Sequence, residues 1–99
     1  MKKTLLLLTL LVTISITYAQ DLKKSAQEHA QNENWESAIK DYKKYLKKNE
    51  KDSSTWYALG GVYVKSKEYE KAIESYDKAK ETNFSITFVS YSKASTYAK

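Results

Sequence analysis

Few side chains in this chain are of a type that does chemistry. His29 is the only histidine, cysteine is absent, and acid pairs such as Glu70 with Glu74 and Asp77 with Glu81 stand four residues apart. A lone histidine with no cysteine closes neither a Ser-His-Asp nor a Cys-His arrangement within one chain, and no thiolate zinc site or disulfide framework can form. The acid pairs fall on the outer face of a predicted helix, where water prevents the burial that raises a carboxyl into the range of a general acid. Gly60 and Gly61 lie within a predicted helix and follow no strand, so they do not form a phosphate-binding loop. No catalytic residue, metal or cofactor is expected.

Binding remains, and the charge bears on the class of partner. All seventeen basic residues are lysine. Without the planar fork of arginine, dedicated phosphate or base-edge recognition is disfavoured, and so is a nucleic-acid role. The Lys-Lys-Tyr-Leu-Lys-Lys run from Lys43 to Lys48 reads as the solvated face of a helix.

The elements that must carry any binding surface begin after a separate leader. Lys2 and Lys3 give a positive start, Leu5 to Ile16 is uncharged, and Thr17, Tyr18 and Ala19 place small residues where an export peptidase reads them. The expectation is a signal peptide over 1–19, cut after Ala19, and an exported chain that is periplasmic or extracellular, in a bacterial envelope. Membrane association follows only if the segment is retained; a spanning helix needs about 20 apolar residues, and Asp21, Lys23 and Lys24 interrupt this one. In the processed chain from Gln20 to Lys99, fifteen lysines face twelve acids, a net charge of +3. With no proline and no cysteine, those residues hold one small domain stabilised by apolar packing, and eight of the chain's nine Tyr, with two Trp and two Phe, make its core aromatic.

Displaced by 34 residues, the chain aligns with itself: Trp35 on Tyr69, Glu36 on Glu70, Ala38 on Ala72, Ile39 on Ile73, Tyr42 on Tyr76, Lys44 on Lys78 and Asn49 on Asn83. Six of these seven pairs are identities, and a fixed period of this size marks units that bury a face against their neighbours. From Trp35, the positions Ala38, Ile39, Tyr42, Tyr45 and Leu46 cover an arc of about 120° on one helix. Trp56, Leu59, Gly60 and Tyr63 recur at i, i+3, i+4 and i+7 on another, whose first turn Asp52 or Ser53 can cap. Gly60 weakens that helix by about 1 kcal/mol relative to alanine, so close approach of a neighbour is expected there. On the next helix Glu74 and Lys78 stand in the favourable i, i+4 order. Helices are expected over 21–32, 35–48, 53–66, 68–82 and 86–98.

Trp56, Leu59, Gly60, Tyr63, Ala72, Tyr76 and Ala79 together resemble the tetratricopeptide repeat, whose pattern is W-x2-L-G-x2-Y, then A-x3-F, then P. The resemblance spans the processed chain, with units of about 20–52 and 53–86 and a partial unit over 87–99. It departs at Phe84, which stands in place of the proline and leaves the helix end to Asn83 and Ser85. It implies an all-α, right-handed stack of antiparallel helix pairs, an α-solenoid fragment, and puts His29 at the place of a packed aromatic. It also implies a protein-interaction scaffold or adaptor that holds a protein or peptide and is not an enzyme. The family's groove positions fall on Lys23, Gln27 and Gln31, then on Ser54, Tyr57, Gly61, Val64 and Lys65, then on Phe88, Tyr91 and Ser95. Chaperone-binding members hold a carboxylate with Lys and Asn; here Lys23 fits, Gln27 replaces the Asn, and Tyr57 with Gly61 breaks the rest. Tyr57 and Tyr91 either floor a groove beside Lys23 and Lys65 or pack between repeats. Because the helix from Ile86 is too apolar for a cap, the natural protein or array is expected to continue beyond Lys99. The alternative function is therefore the N-terminal recognition arm of a larger envelope enzyme or assembly factor.

Overall fold

The computed structural model describes residues 2–99, with side chains from residue 7 onward. Five helices follow one another: α1 (Lys2–Gln31), α2 (Trp35–Lys48), α3 (Ser53–Lys65), α4 (Tyr69–Glu81) and α5 (Ile86–Tyr97). The described residues contain no strand, and each helix packs on the next in the chain. The result is the all-α stack of helix pairs that the repeat requires. Helices α2 to α5 begin and end within one residue of their expected limits. The one large difference is α1, which runs unbroken through Ala19 and Gln20 into the leader. No proline or glycine lies between the apolar stretch and Asp21, so nothing local stops the helix there.

Three of the four connections share one geometry. Glu33, Lys67 and Asn83 take left-handed backbones, with φ of 61°, 64° and 77°. The next amide in each case reaches back five residues: Asn34 to the His29 carbonyl at 2.8 Å, Glu68 to Tyr63 at 2.9 Å and Phe84 to Ala79 at 2.9 Å. This pairing satisfies carbonyls that a helix end leaves orphaned. Glycine is the usual occupant of the left-handed position, and its absence here hid the turns from a reading by residue type. It also answers the question raised by Phe84: Asn83 ends α4 by its backbone, without a proline. The fourth connection works differently, because Asp52 caps α3 by accepting from the Thr55 amide at 3.2 Å.

The core is Ala26, Ala38, Tyr42, Leu46, Leu59, Val62, Tyr63, Ala72, Tyr76, Ala79 and Val89, with Trp35, Tyr45, Trp56, Tyr57 and Phe84 packed around it. Aromatics supply its bulk, as the composition requires. Gly60 shows why one position tolerates no side chain: a Cβ there would sit 2.5 Å from Tyr76 Cε1 and 2.6 Å from Cδ1. The expected close neighbour is thus the tyrosine of α4.

Two apolar regions are not covered. Leu7, Leu8, Leu10, Leu11, Val12, Ile14, Ile16 and Tyr18 of α1 are each 53–61% exposed. Among the described residues no helix is long and apolar enough to cross a membrane. On α5, Val89 and Thr96 are buried, whereas Ile86, Phe88, Tyr91 and Tyr97 are exposed.

Candidate partner-binding surface

The residues carried over to the groove lie on α1, α3 and α5, the first helices of their units, and their surroundings differ from one unit to the next. Lys23 is engaged within the protein: its Nζ donates to Asp52 Oδ2 at 3.1 Å and lies 5.7 Å from the centre of the Tyr45 ring. Gln27 and Gln31 are exposed beside it. On α3, Tyr57 stacks on Phe84 with ring centres 4.5 Å apart, meets Tyr76 at 5.3 Å, and shares a hydrogen bond of 2.7 Å with the Ser92 hydroxyl. It therefore packs between units. Gly61 and Val64 are half-buried, and Ser54 and Lys65 are exposed. On α5, Phe88 is 60% and Tyr91 76% exposed, and Ser95 is exposed too. The aromatic surface that solvent reaches is therefore on α5.

Asp52 gathers more partners than any other side chain on this face. Its Oδ2 accepts from the Tyr45 hydroxyl at 2.6 Å and from Lys23, while Oδ1 accepts from the Ser54 hydroxyl at 2.8 Å and from the Thr55 amide. Burial opposes ionisation of Asp52, but the hydrogen bonds from Tyr45, Ser54, Lys23 and Thr55 outweigh it and hold the carboxyl well below its ordinary range. Burial, followed by the bond to Asp52, pushes the Tyr45 phenol up to about 12. Sequence reasoning found Asp52 only as a helix cap; its ties to α1 and α2 join residues far apart in the chain and leave no local pattern.

Ser25 and His29 both approach one carboxylate oxygen of Asp41. Their order is wrong for nucleophilic catalysis, however: Ser25 Oγ donates straight to Asp41 Oδ2 at 2.7 Å, and His29 Nε2 lies 3.7 Å from the same oxygen. A serine whose hydrogen is held by a carboxylate is not activated by an imidazole. His29 is half-exposed at the edge of the packing. The acid pairs separate, since Asp77 binds Lys93 at 2.6 Å and Glu81 binds Lys78 at 3.4 Å. Lys78 thus pairs with Glu81, one turn further on, rather than with Glu74. Among the described residues no three His, Cys, Asp or Glu side chains converge as metal ligands would.

On the side of the second helices, α2 and α4 border a cleft of about 760 Å³ whose floor is Trp56, Leu59 and Tyr63 of α3.

The model of the tetratricopeptide repeat matches residues 24–85, well over half of the chain. The chain belongs to the tetratricopeptide repeat family. Repeats of this family generally mediate protein–protein interaction, and the match spans α2, α3, α4 and the end of α1. The fold is similar to the solved "TPR2B-domain:pHsp70-complex of yeast Sti1", with a TM-score of 0.72 and 20% identity, over 79% of this chain and 62% of that chain. At that identity the likeness concerns the fold. No curated protein matches the chain. In the tetratricopeptide register, Lys23, Tyr57 and Tyr91 occupy one position in three successive units, and so do Ala26, Gly60 and Ala94.

Proposed function

We propose that this tetratricopeptide protein is an exported scaffold or adaptor that holds a protein or peptide on the face formed by α1, α3 and α5. The observation that carries the reading is Phe88 with Tyr91, one turn apart on α5 and mostly exposed. Aromatic side chains left open on a helix face are the usual anchors of a protein interface, because a large ring is desolvated at small entropic expense. The yeast Sti1 domain is a complex with pHsp70, a protein-derived ligand of the general kind supposed here. A carboxylate clamp does not fit, because Lys23 already answers Asp52. Lys65 of α3 and Gln27 of α1 are exposed as well and offer polar contacts along the same series of first helices.

Export rests on the leader. Its apolar side chains from Leu7 to Tyr18 lie largely in solvent, so cleavage after Ala19 would remove little of the packed core. Intact-mass measurement of the protein recovered from the envelope reads this directly: a chain beginning at Gln20 is expected, and an uncleaved N-terminus would make the segment an anchor. The binding role is tested by crosslinking capture from the envelope fraction, with Phe88→Ala/Tyr91→Ala compared against the unchanged chain and Gly60→Trp as the unfolded control. Loss of a specific partner in the folded double variant is expected; the same partners at the same yield would end the proposal.

The bare side of α5 favours a second reading, in which the repeats are the recognition arm of a larger envelope enzyme or assembly factor. Ala94 and Tyr97 are exposed, whereas their equivalents one period earlier, Gly60 and Tyr63, are buried against α4. Sequence of the gene beyond Lys99 distinguishes the two.

A further inference from the structure

A cut after Ala19 puts Gln20 at the head of the processed chain. A terminal glutamine can react with itself, because its α-amine and its side-chain amide are spaced to close a stable lactam ring. The amine nitrogen attacks the amide carbon Cδ, an N–Cδ bond forms, the Cδ–Nε2 bond breaks, and the leaving nitrogen takes one amine proton away as ammonia. No oxidant or co-reactant is consumed. A terminal amine ionises at about 7.7–8.0, so part of it is already the free nucleophile near neutral pH.

The fold leaves Gln20 free for this step. It is exposed, and its side-chain amide makes no hydrogen bond among the described residues. While α1 is continuous the Gln20 nitrogen is an ordinary helical donor; once the preceding turn is removed it has no intrahelical acceptor, so reaction there breaks no helical bond. The ties that hold α1 to the rest begin further on, with Lys23 Nζ to Asp52 at 3.1 Å, Ser25 Oγ to Asp41 at 2.7 Å and the fully buried Ala26. Gln20 and Asp21 are both exposed ahead of these ties, and end residues of a helix fray, which gives the ring room to close.

Charge favours the closed form. An α-ammonium at Gln20 would stand at the positive end of the α1 dipole, with Lys23 and Lys24 three and four residues on and Asp21 the one acid beside it. The lactam carries no charge, so closure removes an unfavourable terminus as N-terminal acetylation does.

Resting on the reading of residues 1–19 as a signal peptide, we propose that Gln20 is a modification site and that the exported protein carries pyroglutamate as its first residue. The ring is an uncharged cap on α1, and it denies aminopeptidases the free amine they require. Trimming from an open amine would run toward Lys23 and Ser25, whose bonds to Asp52 and Asp41 tie α1 to the cap of α3 and to α2.

The full chain with its leader, expressed and recovered from the envelope, tests the site by tandem mass spectrometry. Most molecules should give an N-terminal peptide that begins at Gln20 and is lighter by one ammonia. N-terminal sequencing should be blocked until pyroglutamyl peptidase removes the ring and exposes Asp21. Gln20→Ala has no amide to close; it should keep its full mass and be read without the enzyme. A synthetic peptide of residues 20–31 with an open amine, carried through the same preparation, should stay largely open. The proposal is overturned by a cleaved chain with an open Gln20 amine, by fragment ions that place the ammonia loss elsewhere, or by equal closure of the synthetic peptide, which would put the reaction in the handling. Each of those leaves export standing, whereas an uncleaved N-terminus removes the signal-peptide reading and the modification with it.

Discussion

Lys23, Tyr57 and Tyr91 stand one period apart, and Tyr57 and Tyr91 are even the same residue, yet they do different things. Tyr57 stacks on Phe84 and bonds Ser92, because α4 and α5 follow it and close over its ring. Tyr91 is 76% exposed, since no later element among the described residues packs on its side of α5. Lys23 precedes a loop whose Asp52 turns back to meet it. The comparison teaches that a repeat's register fixes where a side chain is presented, while the following unit decides whether it becomes core or surface.

Truncation separates the two tyrosines most sharply. Tyr57→Ala removes a ring wedged between units and should lower stability by about 3 kcal/mol, whereas Tyr91→Ala should stay within about 0.5 kcal/mol. Urea unfolding followed by circular dichroism reads both, and equal losses would contradict the contrast. Next in size is the pair Gly60 and Ala26, equivalent positions with different needs. Gly60→Ala should cost about 2 kcal/mol despite the better helix propensity of alanine, because its Cβ meets Tyr76. Ala26→Gly should cost about 1–2 kcal/mol, from lower helix propensity and the loss of a fully buried methyl.

Asp52→Asn comes third, with a loss of about 1–2 kcal/mol at neutral pH from a weakened cap. The folded carboxyl ionises below its ordinary value, so its contribution is fully present above about pH 4 and is lost as pH falls through the lower folded value. Stability of the variant measured against pH should therefore show a flatter acid limb than the unchanged chain. The smallest effect expected is a gain: Lys67→Gly relieves a left-handed backbone and should raise the melting temperature slightly, by about 0.5 kcal/mol of stability. A loss there would mean that the Lys67 side chain contributes more than its backbone strain removes.

Much of the fold was legible because two local signals agree. Apolar residues recur at helical spacing, and the recurrence itself repeats at 34, so Trp35–Lys48 emerged with both ends correct. The turns were harder to read, since Glu33, Lys67 and Asn83 end helices with a backbone shape that residue type does not announce. Asp52 was recognisable only in its capping role, and the meeting of Ser25, His29 and Asp41 not at all. The surface on α5 was marked by register, while the cleft between α2 and α4 had no signal, because its lining is drawn from three helices.

By itself, then, the sequence determined the helices, their pairing and the need for a small residue at Gly60, since these depend on periodicity and on volume at contacts a repeat must make. Only the tertiary structure decided which of two identical tyrosines is packed against its neighbours, which lysine is neutralised and where a cleft stays open. Those outcomes depend on what lies across from a side chain in space, and a period along the chain carries no record of the element that comes to face it.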